Sequence, residues 1–294
     1  MLIRRHPSEI IQLLPKRNKD SHKGTFGKLL LIAGSNRYTG AASLMTEAAL
    51  RSGVGLVYVV CTHLTAQVIR FRCPEAIVIE VPENKGTMDR HAIKVIEEVI
   101  IKEKINNVGI GPGLGRLSDA AGFYDDAFQV FKQNTCQVVI DADALEDAYQ
   151  WVKMHAYPDH QLIFTPHPKE FLRMINQVEL VNENKDVLTA AKLINQVIVY
   201  KTHATIIGTK NNIWKSTTGT QALATAGSGD VLAGIIAGFI AQQVAPDDAA
   251  KLGVYIHGLT GEIAKQKLGL RSVLARDICA SISDAFLAVG HSNG

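Results

Sequence analysis

The chain has 294 residues, of which 47% are hydrophobic and 20% are charged, and its formal net charge is +3. This composition is typical of a globular protein that is long enough to bury a large core. Basic residues form no run of five and only 6% of residues are aromatic, so nucleic-acid binding is not expected.

The cysteines and the apolar segments indicate the class of environment. Cys61, Cys73, Cys136 and Cys279 form no Cys-x-x-Cys pair, so neither a zinc site nor a redox pair is indicated. We expect buried free thiols in a reducing cytoplasm. The N-terminus does not resemble a signal peptide, and the longest apolar run, 231–241, is well short of the roughly 20 residues that span a bilayer. We therefore predict a soluble cytoplasmic protein without membrane contact.

The first half of the chain alternates apolar runs with periodic segments. A strand is predicted within each of the segments 27–35, 55–61, 76–81, 105–115 and 135–145, with glycine-rich turns after the first and fourth and Asp141 at the end of the fifth. Helices are predicted over 40–53, with Gly53 as the terminator, and over 90–104.

The second half continues the alternation and then becomes helical. The predictions are a strand, a proline-bracketed turn and a helix start in 161–171, a helix over 187–196, a strand and hairpin in 197–209 and 211–217, and helices over 230–242, 246–268 and 275–289. Continuous apolar strands that alternate with helices predict a mostly parallel sheet buried on both faces, in one α/β/α domain. Ligands bind such sheets beyond the carboxyl ends of the strands.

Two glycine-rich turns lie where this sheet should bind a ligand. The first, 34–42, joins a strand to a helix but lacks the dinucleotide-binding pattern, and the chain contains no P-loop motif. The second has glycines at 109, 111, 113 and 115. Four glycines in seven positions suit a flat ligand lying against backbone, although a glycine-rich loop without a ligand remains an alternative.

Polar residues follow three other predicted strands. Asp141 and Asp143 could reach a hydrated Mg²⁺, or Asp143 could cap a helix. His167 lies between two prolines that stiffen its turn, so it is either a held imidazole or an ordinary loop residue. Lys201 and Thr205 could contact a phosphate, although a lone lysine after a strand is usually solvated.

The segment Ala-Gly-Ser-Gly-Asp at 226–230 carries the clearest chemical signal. The N–H groups of Gly227, Ser228 and Gly229 can form an anion-binding nest, and the following helix adds the positive end of its dipole. Asp230 in the first turn should be held ionised by the same dipole and could act as a general base. The alternative is that Asp230 caps the helix.

These motifs carry a resemblance to a known family. The 226–230 segment resembles the anion hole of the ribokinase-like superfamily. The segments around 23–60, Gly-Ile-Gly-Pro-Gly-Leu-Gly at 109–115, Asp-Ala-Asp-Ala-Leu at 141–145, Thr-Pro-His-Pro-Lys-Glu at 165–170 and Lys-Thr-His-Ala-Thr at 201–205 together resemble the ADP/ATP-dependent NAD(P)H-hydrate dehydratases. The resemblance implies a three-layer α/β/α ribokinase-like fold with a mostly parallel central sheet. It also implies a single domain over 1–294, with 1–22 as an N-terminal extension and no epimerase domain.

The resemblance implies a lyase of metabolite repair that binds ATP or ADP. Such enzymes phosphorylate the ring hydroxyl of hydrated NADH or NADPH and then lose phosphate to restore NAD(P)H. The family contacts the hydrate at the positions of Ala41, Gly113, His167 and Asp230. It binds the nucleotide at the positions of Lys201, Thr202, His203, Ala204, Thr205 and Gly229. Thr202 stands where the family usually has glycine.

The resemblance also implies Mg²⁺, a co-substrate that is ADP or ATP, and a homo-oligomer, namely a tetramer. Two other functions stay open at this point. One is a kinase of the same superfamily acting on a vitamin-precursor alcohol of the hydroxymethylpyrimidine or thiazole type. The other is a nucleotide-binding protein without catalytic activity.

Overall fold

A computed structural model of the chain describes residues 2–3, 7–115 and 120–290. Its strands are β1 Leu2–Ile3, β2 Lys28–Ile32, β3 Leu56–Cys61, β4 Ile77–Glu80, β5 Glu83–Asn84, β6 Thr87–Met88, β7 Asn107–Ile110, β8 Gln137–Ile140, β9 Leu162–Phe164, β10 Val197–Tyr200, β11 Ile206–Gly208 and β12 Ile213–Lys215. Its helices are α1 Pro7–Ile11, α2 Thr39–Arg51, α3 His63–Arg72, α4 Ala92–Glu103, α5 Ala120–Gln133, α6 Leu145–Met154, α7 Pro168–Met174, α8 Glu183–Ile194, α9 Ser228–Ala241, α10 Pro246–Leu268, α11 Ala275–Ala280 and α12 Ile282–Gly290. Short 3₁₀ turns occur at Lys23–Phe26, Ala142–Ala144 and Gln221–Leu223.

Within the described residues, one large sheet forms the centre of the molecule. Its strand order is β1-β12-β11-β10-β9-β8-β7-β2-β3-β4. All neighbours from β10 to β4 are parallel, whereas β11 runs antiparallel between β10 and β12. The predicted mostly parallel sheet is confirmed.

The helices form two groups that cover this sheet. Helices α2, α3, α9, α10, α11 and α12 contact one another, and α4, α5, α6, α7 and α8 form a second contacting group. Leu29–Ile32 in β2 and Val138–Ile140 in β8 are fully buried, as expected for strands covered on both faces. The arrangement is the predicted three-layer α/β/α architecture.

The predicted strands and most predicted helices are present, with a few differences. The last predicted helix is divided at Ser281 into α11 and α12. Helix α8 begins four residues earlier than predicted, because the Asn182 side chain accepts a hydrogen bond from Lys185 N at 3.0 Å and caps it. Helix α2 ends at Arg51, and Gly53 follows with a φ of +100°, which confirms this glycine as the terminator.

Helices α3, α5 and α6 were not predicted from the sequence. Helix α3 contains Thr65, Val68 and Ile69, whose β-branched side chains lower helix propensity. It is stabilised instead by packing against α2 and β4. Tertiary contact therefore outweighs local preference in this segment.

The N-terminal segment adds to the sheet. Leu2 and Ile3 pair in parallel with Ile213 and Trp214 of β12, and α1 packs on α10. The predicted 1–22 extension therefore packs against the sheet where it is described, while residues 1 and 4–6 lie outside the described range.

Two of the compositional predictions can be compared with the structure. Among the described residues, no helix combines the length and the apolar character needed to cross a bilayer. All four cysteines are buried and free, as predicted. Burial raises the pKa of the Cys61 thiol to about 12 and that of Cys73 to about 11, so both thiols are held in the unreactive protonated form.

Candidate active site

The strand order brings the predicted site loops together at one edge of the sheet. Strands β10, β9, β8, β7 and β2 are consecutive neighbours, and all five end at the same edge. The segments that follow them carry, in that spatial order, Lys201, His167, Asp141 and Gly113 in loops and Ala41 in the first turn of α2. Positions that are 160 residues apart in the chain therefore share one surface.

Hydrogen bonds join each loop to its neighbour. Lys201 N donates to Pro166 O at 2.9 Å, and Gly34 N donates to Pro112 O at 2.8 Å. The hydroxyl of Ser35 donates to Gly113 O at 2.8 Å. The edge is consequently a continuous and well-supported surface.

A buried cluster of charges lies at the middle of this edge. The Lys201 ammonium donates to Asp141 Oδ1 at 2.6 Å, and its Nζ lies 3.9 Å from Glu170 Oε2. Burial alone would lower the pKa of Lys201, but the negative charges of Asp141, Glu170 and Asp230 raise it overall. Lys201 is thus a fixed cation in this site rather than the solvated lysine that the local sequence also allowed.

The helix that carries the glycine-serine-glycine segment begins beside this cluster. Helix α9 packs against β7, β8 and β2, which directs its N-terminus to the same edge. Gly227, with a φ of +89°, occupies the N-cap position, and no side chain caps the helix. The alternative that Asp230 is the cap is therefore wrong.

The first turn of α9 leaves backbone donors open. Ser228 N donates to Thr225 O at 3.2 Å and Val231 N to Gly227 O at 3.1 Å. Among the described residues, the N–H groups of Gly229 and Asp230 have no hydrogen-bond partner. The predicted nest is therefore corrected, because the Ser228 N–H is already engaged and cannot serve as an open donor. Open N–H groups at the positive end of a helix dipole are well suited to bind an anion.

Gly229 is required by the closeness of Lys201. A Cβ atom at this position would lie 3.2 Å from Lys201 Nζ and 3.8 Å from Asp141 Oδ2. That separation is tight for a Cβ contact, so a larger residue would push the ammonium away from the helix end. Glycine therefore lets a cation and the helix N-terminus face the same small volume.

Asp230 is partly buried at this point, and its pKa is raised to about 7. Burial is the largest cause, and the nearby negative charge of Asp141 adds to it, while Lys201 opposes both. The expectation that the helix dipole holds Asp230 fully ionised is therefore corrected. A carboxyl group with a pKa near neutrality is matched to proton transfer at neutral pH.

His167 is the N-cap of α7, a role that the sequence reasoning missed. Its Nδ1 accepts a hydrogen bond from Glu170 N at 3.2 Å, and Glu170 Oε2 accepts one from His167 N at 2.7 Å. This reciprocal pair is a capping box in which histidine replaces the usual serine or threonine. Burial lowers the pKa of His167, and the charge of Lys201 lowers it further, so the neutral ring is favoured.

The glycine-rich loop after β7 packs closely against protein atoms. A Cβ on Gly111 would lie 1.8 Å from Asp141 O, and one on Gly113 would lie 2.9 Å from the Cβ of Ala41. Gly115 N donates to Asp143 Oδ2 at 2.8 Å, so Asp143 holds this loop and does not cap a helix. Packing therefore accounts for Gly111, while Gly113 and Ala41 are in direct contact as two predicted hydrate-binding residues.

A cavity of about 720 Å³ opens beside the charge cluster. The predicted site residues that line it are His167, Lys201, Thr202, His203, Thr205, Ser228 and Gly229. Among the described residues, the predicted site residues that do not line it are Ala41, Gly113, Asp141, Ala204, Gly227 and Asp230, so the predicted residues divide between this cavity and its surroundings. The hydroxyl oxygen of Thr202 is buried without a hydrogen-bond partner, so it is an unsatisfied polar atom next to the cavity and not a group exposed to it.

Two residues of the site were not assigned from the sequence. Glu170 contributes a buried carboxylate beside Lys201, and the capping-box spacing from His167 is the signal that could have identified it. His257 of α10 lines the cavity, and its Nε2 lies 3.1 Å from Ser228 Oγ. A histidine in an otherwise apolar helical stretch was the only sign of it in the sequence.

The described residues contain no group of three or more His, Cys, Asp or Glu side chains that could hold a metal ion. One oxygen of Asp141 is already paired with Lys201. Among the described residues, the site therefore does not offer Mg²⁺ several carboxylate ligands at once. Its carboxylates are compatible with contact to one water of a hydrated ion.

Comparisons of the sequence with known proteins identify its family. The family model described as NAD(P)H-hydrate dehydratase matches residues 29–284. An ADP-dependent (S)-NAD(P)H-hydrate dehydratase of Listeria monocytogenes is 32% identical over 264 residues, with 89% of this chain and 88% of that protein covered. A bifunctional NAD(P)H-hydrate repair enzyme of Moorella thermoacetica is 33% identical over 270 residues, with 90% of this chain and 50% of that protein covered.

A solved structure of a relative also matches the fold of this chain. The crystal structure of an ADP/ATP-dependent NAD(P)H-hydrate dehydratase from Bacillus subtilis, co-crystallised with ATP and Mg²⁺, superposes with a TM-score of 0.81 at 28% identity, and 96% of each chain is covered. The chain spans about half the length of the bifunctional relatives that it matches. It belongs to the NAD(P)H-hydrate dehydratase family.

Proposed function

We propose that this member of the NAD(P)H-hydrate dehydratase family is a nucleotide-repair lyase that uses ADP or ATP to convert hydrated NADH or NADPH to NADH or NADPH. The observation that carries the proposal is Asp230, a partly buried carboxyl beside Lys201 at the open N-terminus of α9, with a pKa raised to about 7. The names of the relatives from Listeria and Bacillus subtilis support the substrate and the co-substrate.

Asp230 acts as the general base of the first step. It takes the proton of the ring hydroxyl while that oxygen attacks the terminal phosphorus of the nucleotide. The phosphoanhydride bond breaks, so ADP leaves as AMP, or ATP leaves as ADP. Since the pKa of Asp230 is close to neutral pH, the group is both substantially ionised and basic enough to accept the proton.

The N-terminus of α9 and Lys201 stabilise the charge that develops during this transfer. The open N–H groups of Gly229 and Asp230 donate to phosphate oxygens, and the positive charge of the Lys201 ammonium offsets the negative charge on those oxygens. Because Asp141 holds Lys201 at 2.6 Å, the cation needs little reorganisation when the reaction occurs. Catalysis at this end of the helix is therefore mainly positioning and electrostatics.

We assign the cavity of about 720 Å³ to the nucleotide. Its volume is in the usual range for small-molecule sites. Lys201, Thr202, His203, Ala204 and Thr205 supply the segment after β10, and all of them except Ala204 line the cavity. Mg²⁺ would enter with the nucleotide and supply countercharge to its phosphates, and the free oxygen of Asp141 could hold one of its waters.

The hydrate occupies the adjoining surface, where Ala41 and Gly113 are in contact and His167 lies at the border of the cavity. Nδ1 of His167 is engaged in the helix cap, and Nε2, which lies 3.3 Å from Glu170 Oε1, is the ring nitrogen that would turn to the substrate. In the second step the ring C–O bond breaks and phosphate leaves. Loss of a proton from the adjacent ring carbon then restores the double bond of the reduced nicotinamide.

A spectroscopic assay tests the proposal. Hydrated NADH lacks the absorbance of reduced nicotinamide, so incubation with the protein, Mg²⁺ and ADP or ATP should restore that absorbance and release one phosphate per molecule repaired. Accumulation of a phosphorylated alcohol from a vitamin precursor, with no repair, would favour the kinase alternative. Nucleotide binding without turnover of either substrate would favour the non-catalytic alternative.

The cytoplasmic location, the single domain over 1–294 and the tetrameric state remain predictions. Light scattering on the purified protein measures the assembly directly. A molar mass of four chains is the expected result.

A further inference from the structure

Helix α10 forms one wall of the cavity. Gly258 and Gly261 bring it so close to the 218–223 segment that a Cβ on Gly258 would lie 2.3 Å from the Thr218 hydroxyl and one on Gly261 would lie 2.5 Å from Leu223. The Thr218 hydroxyl donates to Tyr255 O at 3.0 Å. The backbone of α10 is thereby held at a defined distance from the ligand space.

His257 lies on this wall and reaches the N-terminus of α9. The residue is only 8% exposed, and its Nε2 lies 3.1 Å from Ser228 Oγ. Ser228 is itself 6% exposed and, like His257, lines the cavity. The pair therefore joins two helices at the place where the terminal phosphates of a nucleotide are expected.

The ring of His257 is neutral near pH 7. Burial lowers its pKa to about 4, a hydrogen bond with the Ser228 backbone opposes this, and the positive charge of Lys201 lowers the pKa further. A neutral imidazole carries one proton, so Nε2 can either donate to the serine oxygen or accept from it.

The nature of the expected ligand distinguishes these two arrangements. If Ser228 donated its proton to His257, only lone pairs of the hydroxyl would face the ligand, and they would repel an anion. If Nε2–H donates to Ser228 Oγ, the hydroxyl proton stays available for the anion that the helix N-terminus attracts. The second arrangement is the one that supports phosphate binding.

We propose that His257 is a positioning residue that donates from Nε2 to Ser228 Oγ and so directs the Ser228 hydroxyl proton to a terminal phosphate oxygen of the bound nucleotide. This inference rests on the proposed function only in taking the cavity ligand to be a nucleoside di- or triphosphate. Dehydration of the hydrate is not needed to test it.

Titration calorimetry with ADP, ATP and adenosine tests the role. The matched pair is His257→Gln, whose amide nitrogen takes the place of Nε2, and His257→Asn, whose shorter amide corresponds to Nδ1. We expect His257→Asn and Ser228→Ala each to lose about tenfold to a hundredfold in ADP affinity, as for a lost hydrogen bond to a charged group, with adenosine affinity unchanged. His257→Gln should keep most of the ADP affinity.

A double variant separates positioning from a general packing role. If His257 acts through Ser228, adding His257→Asn to Ser228→Ala causes almost no further loss of ADP affinity. Circular dichroism on each variant checks that the fold is retained. Equal losses for ADP and adenosine, additive losses in the double variant, or failure of His257→Gln to restore affinity would each overturn the proposal.

The outcomes also separate this proposal from the proposed function. Wild-type protein that binds ADP with the expected variant pattern but does not repair hydrated NADH contradicts the dehydratase function and leaves the role of His257 intact. Repair by the wild type, together with unchanged ADP affinity in His257→Asn, contradicts the role of His257 alone. Wild-type protein that binds neither ADP nor ATP contradicts both.

Discussion

Asp230 has a side-chain shape that asparagine shares and an ability to accept a proton that asparagine lacks, so Asp230→Asn separates the two properties. As a general base it works only when ionised, so kcat/KM of the wild type should rise with pH through about 7 and level off above it. Asp230→Asn retains the side-chain shape but cannot take a proton. We expect turnover above pH 7 to fall by about 10²- to 10⁴-fold, a difference that narrows at lower pH as the wild-type carboxyl is protonated, with nucleotide affinity measured by calorimetry nearly unchanged. Turnover of Asp230→Asn close to wild type would mean that another group is the base.

The same carboxyl should cost stability. Its pKa is about 7 in the folded protein and 3.8 as an ordinary aspartate, so the folded state binds the proton more tightly than the unfolded chain. Below pH 3.8 the carboxyl is protonated in both states, and it does not lower the free energy of unfolding. As the pH rises from 3.8 to about 7, the unfolded chain ionises more readily than the folded protein, so the free energy of unfolding falls. Asp230→Asn should therefore raise the free energy of unfolding at pH 8, by up to about 4 kcal/mol, and have little effect at pH 4.

A matched control for this prediction is Asp284→Asn, which removes one charge from the first turn of α12. Asp284 is partly exposed and paired with Lys267, so its loss should change stability by less than about 1 kcal/mol. Urea titrations at both pH values measure the difference. Equal stability of Asp230→Asn and wild type at pH 8 would contradict the raised pKa.

His167 has a structural and a functional role that different substitutions distinguish. His167→Ala removes the helix cap and should destabilise the protein by about 1 kcal/mol, whereas His167→Asn can still cap α7. Both remove the imidazole Nε2. We expect both to raise KM for the hydrate about twofold to tenfold and to leave KM for ADP unchanged. Because His167 also borders the cavity, a raised KM for ADP with a normal KM for the hydrate would transfer it to the nucleotide side.

At the scale of elements, α9 is placed by its close contact with α2. A Cβ on Gly234 would lie 2.4 Å from Met45 O and 2.8 Å from the Cβ of Ala48. Glycine in a helix interior normally costs up to about 1 kcal/mol relative to alanine, so here it is retained for the close approach. The position of the helix N-terminus, and thus of the anion site, depends on this packing.

Gly234→Ala should therefore destabilise the protein despite its better helix propensity. We expect a loss of about 1–3 kcal/mol, as for other overpacked cores, together with reduced turnover because α9 must shift. Gly40→Ala in α2 is the matched control, since a Cβ there meets no atom within 4 Å. That change should be neutral or stabilising by up to about 1 kcal/mol in urea denaturation. Greater stability of Gly234→Ala would contradict the close-packing account of α9.

At the scale of the whole molecule, one sheet connects the nucleotide cavity with the rest of the fold. If residues 1–294 form a single domain, calorimetric unfolding should show one transition. ADP at 100 times its dissociation constant should add about 2.7 kcal/mol to the free energy of unfolding and raise that single transition by roughly 4–5 °C. Two transitions, of which ADP shifts only one, would indicate two separately folding units.

The sequence by itself determined the features that depend on neighbouring residues. Continuous apolar runs predicted the strands, 3.6-residue periodicity predicted α2, α4 and α10, and Gly53 predicted where α2 ends. The Ala-Gly-Ser-Gly-Asp segment at 226–230 predicted the start of a helix, which α9 confirms, while anion binding there stays a prediction. Each of these follows from local backbone preference or from a pattern within a few turns, which short segments express directly.

Only the tertiary structure decided how these parts combine. Lys201 and Asp141 lie 60 residues apart in the chain, and their pairing depends on the order of β8, β9 and β10 in the sheet. The pKa of Asp230 depends on burial and on Asp141, and the contact of His257 with Ser228 depends on how α10 packs. Strand order, burial and the charges around a group arise from contacts between distant segments, so no local pattern in the sequence contains them.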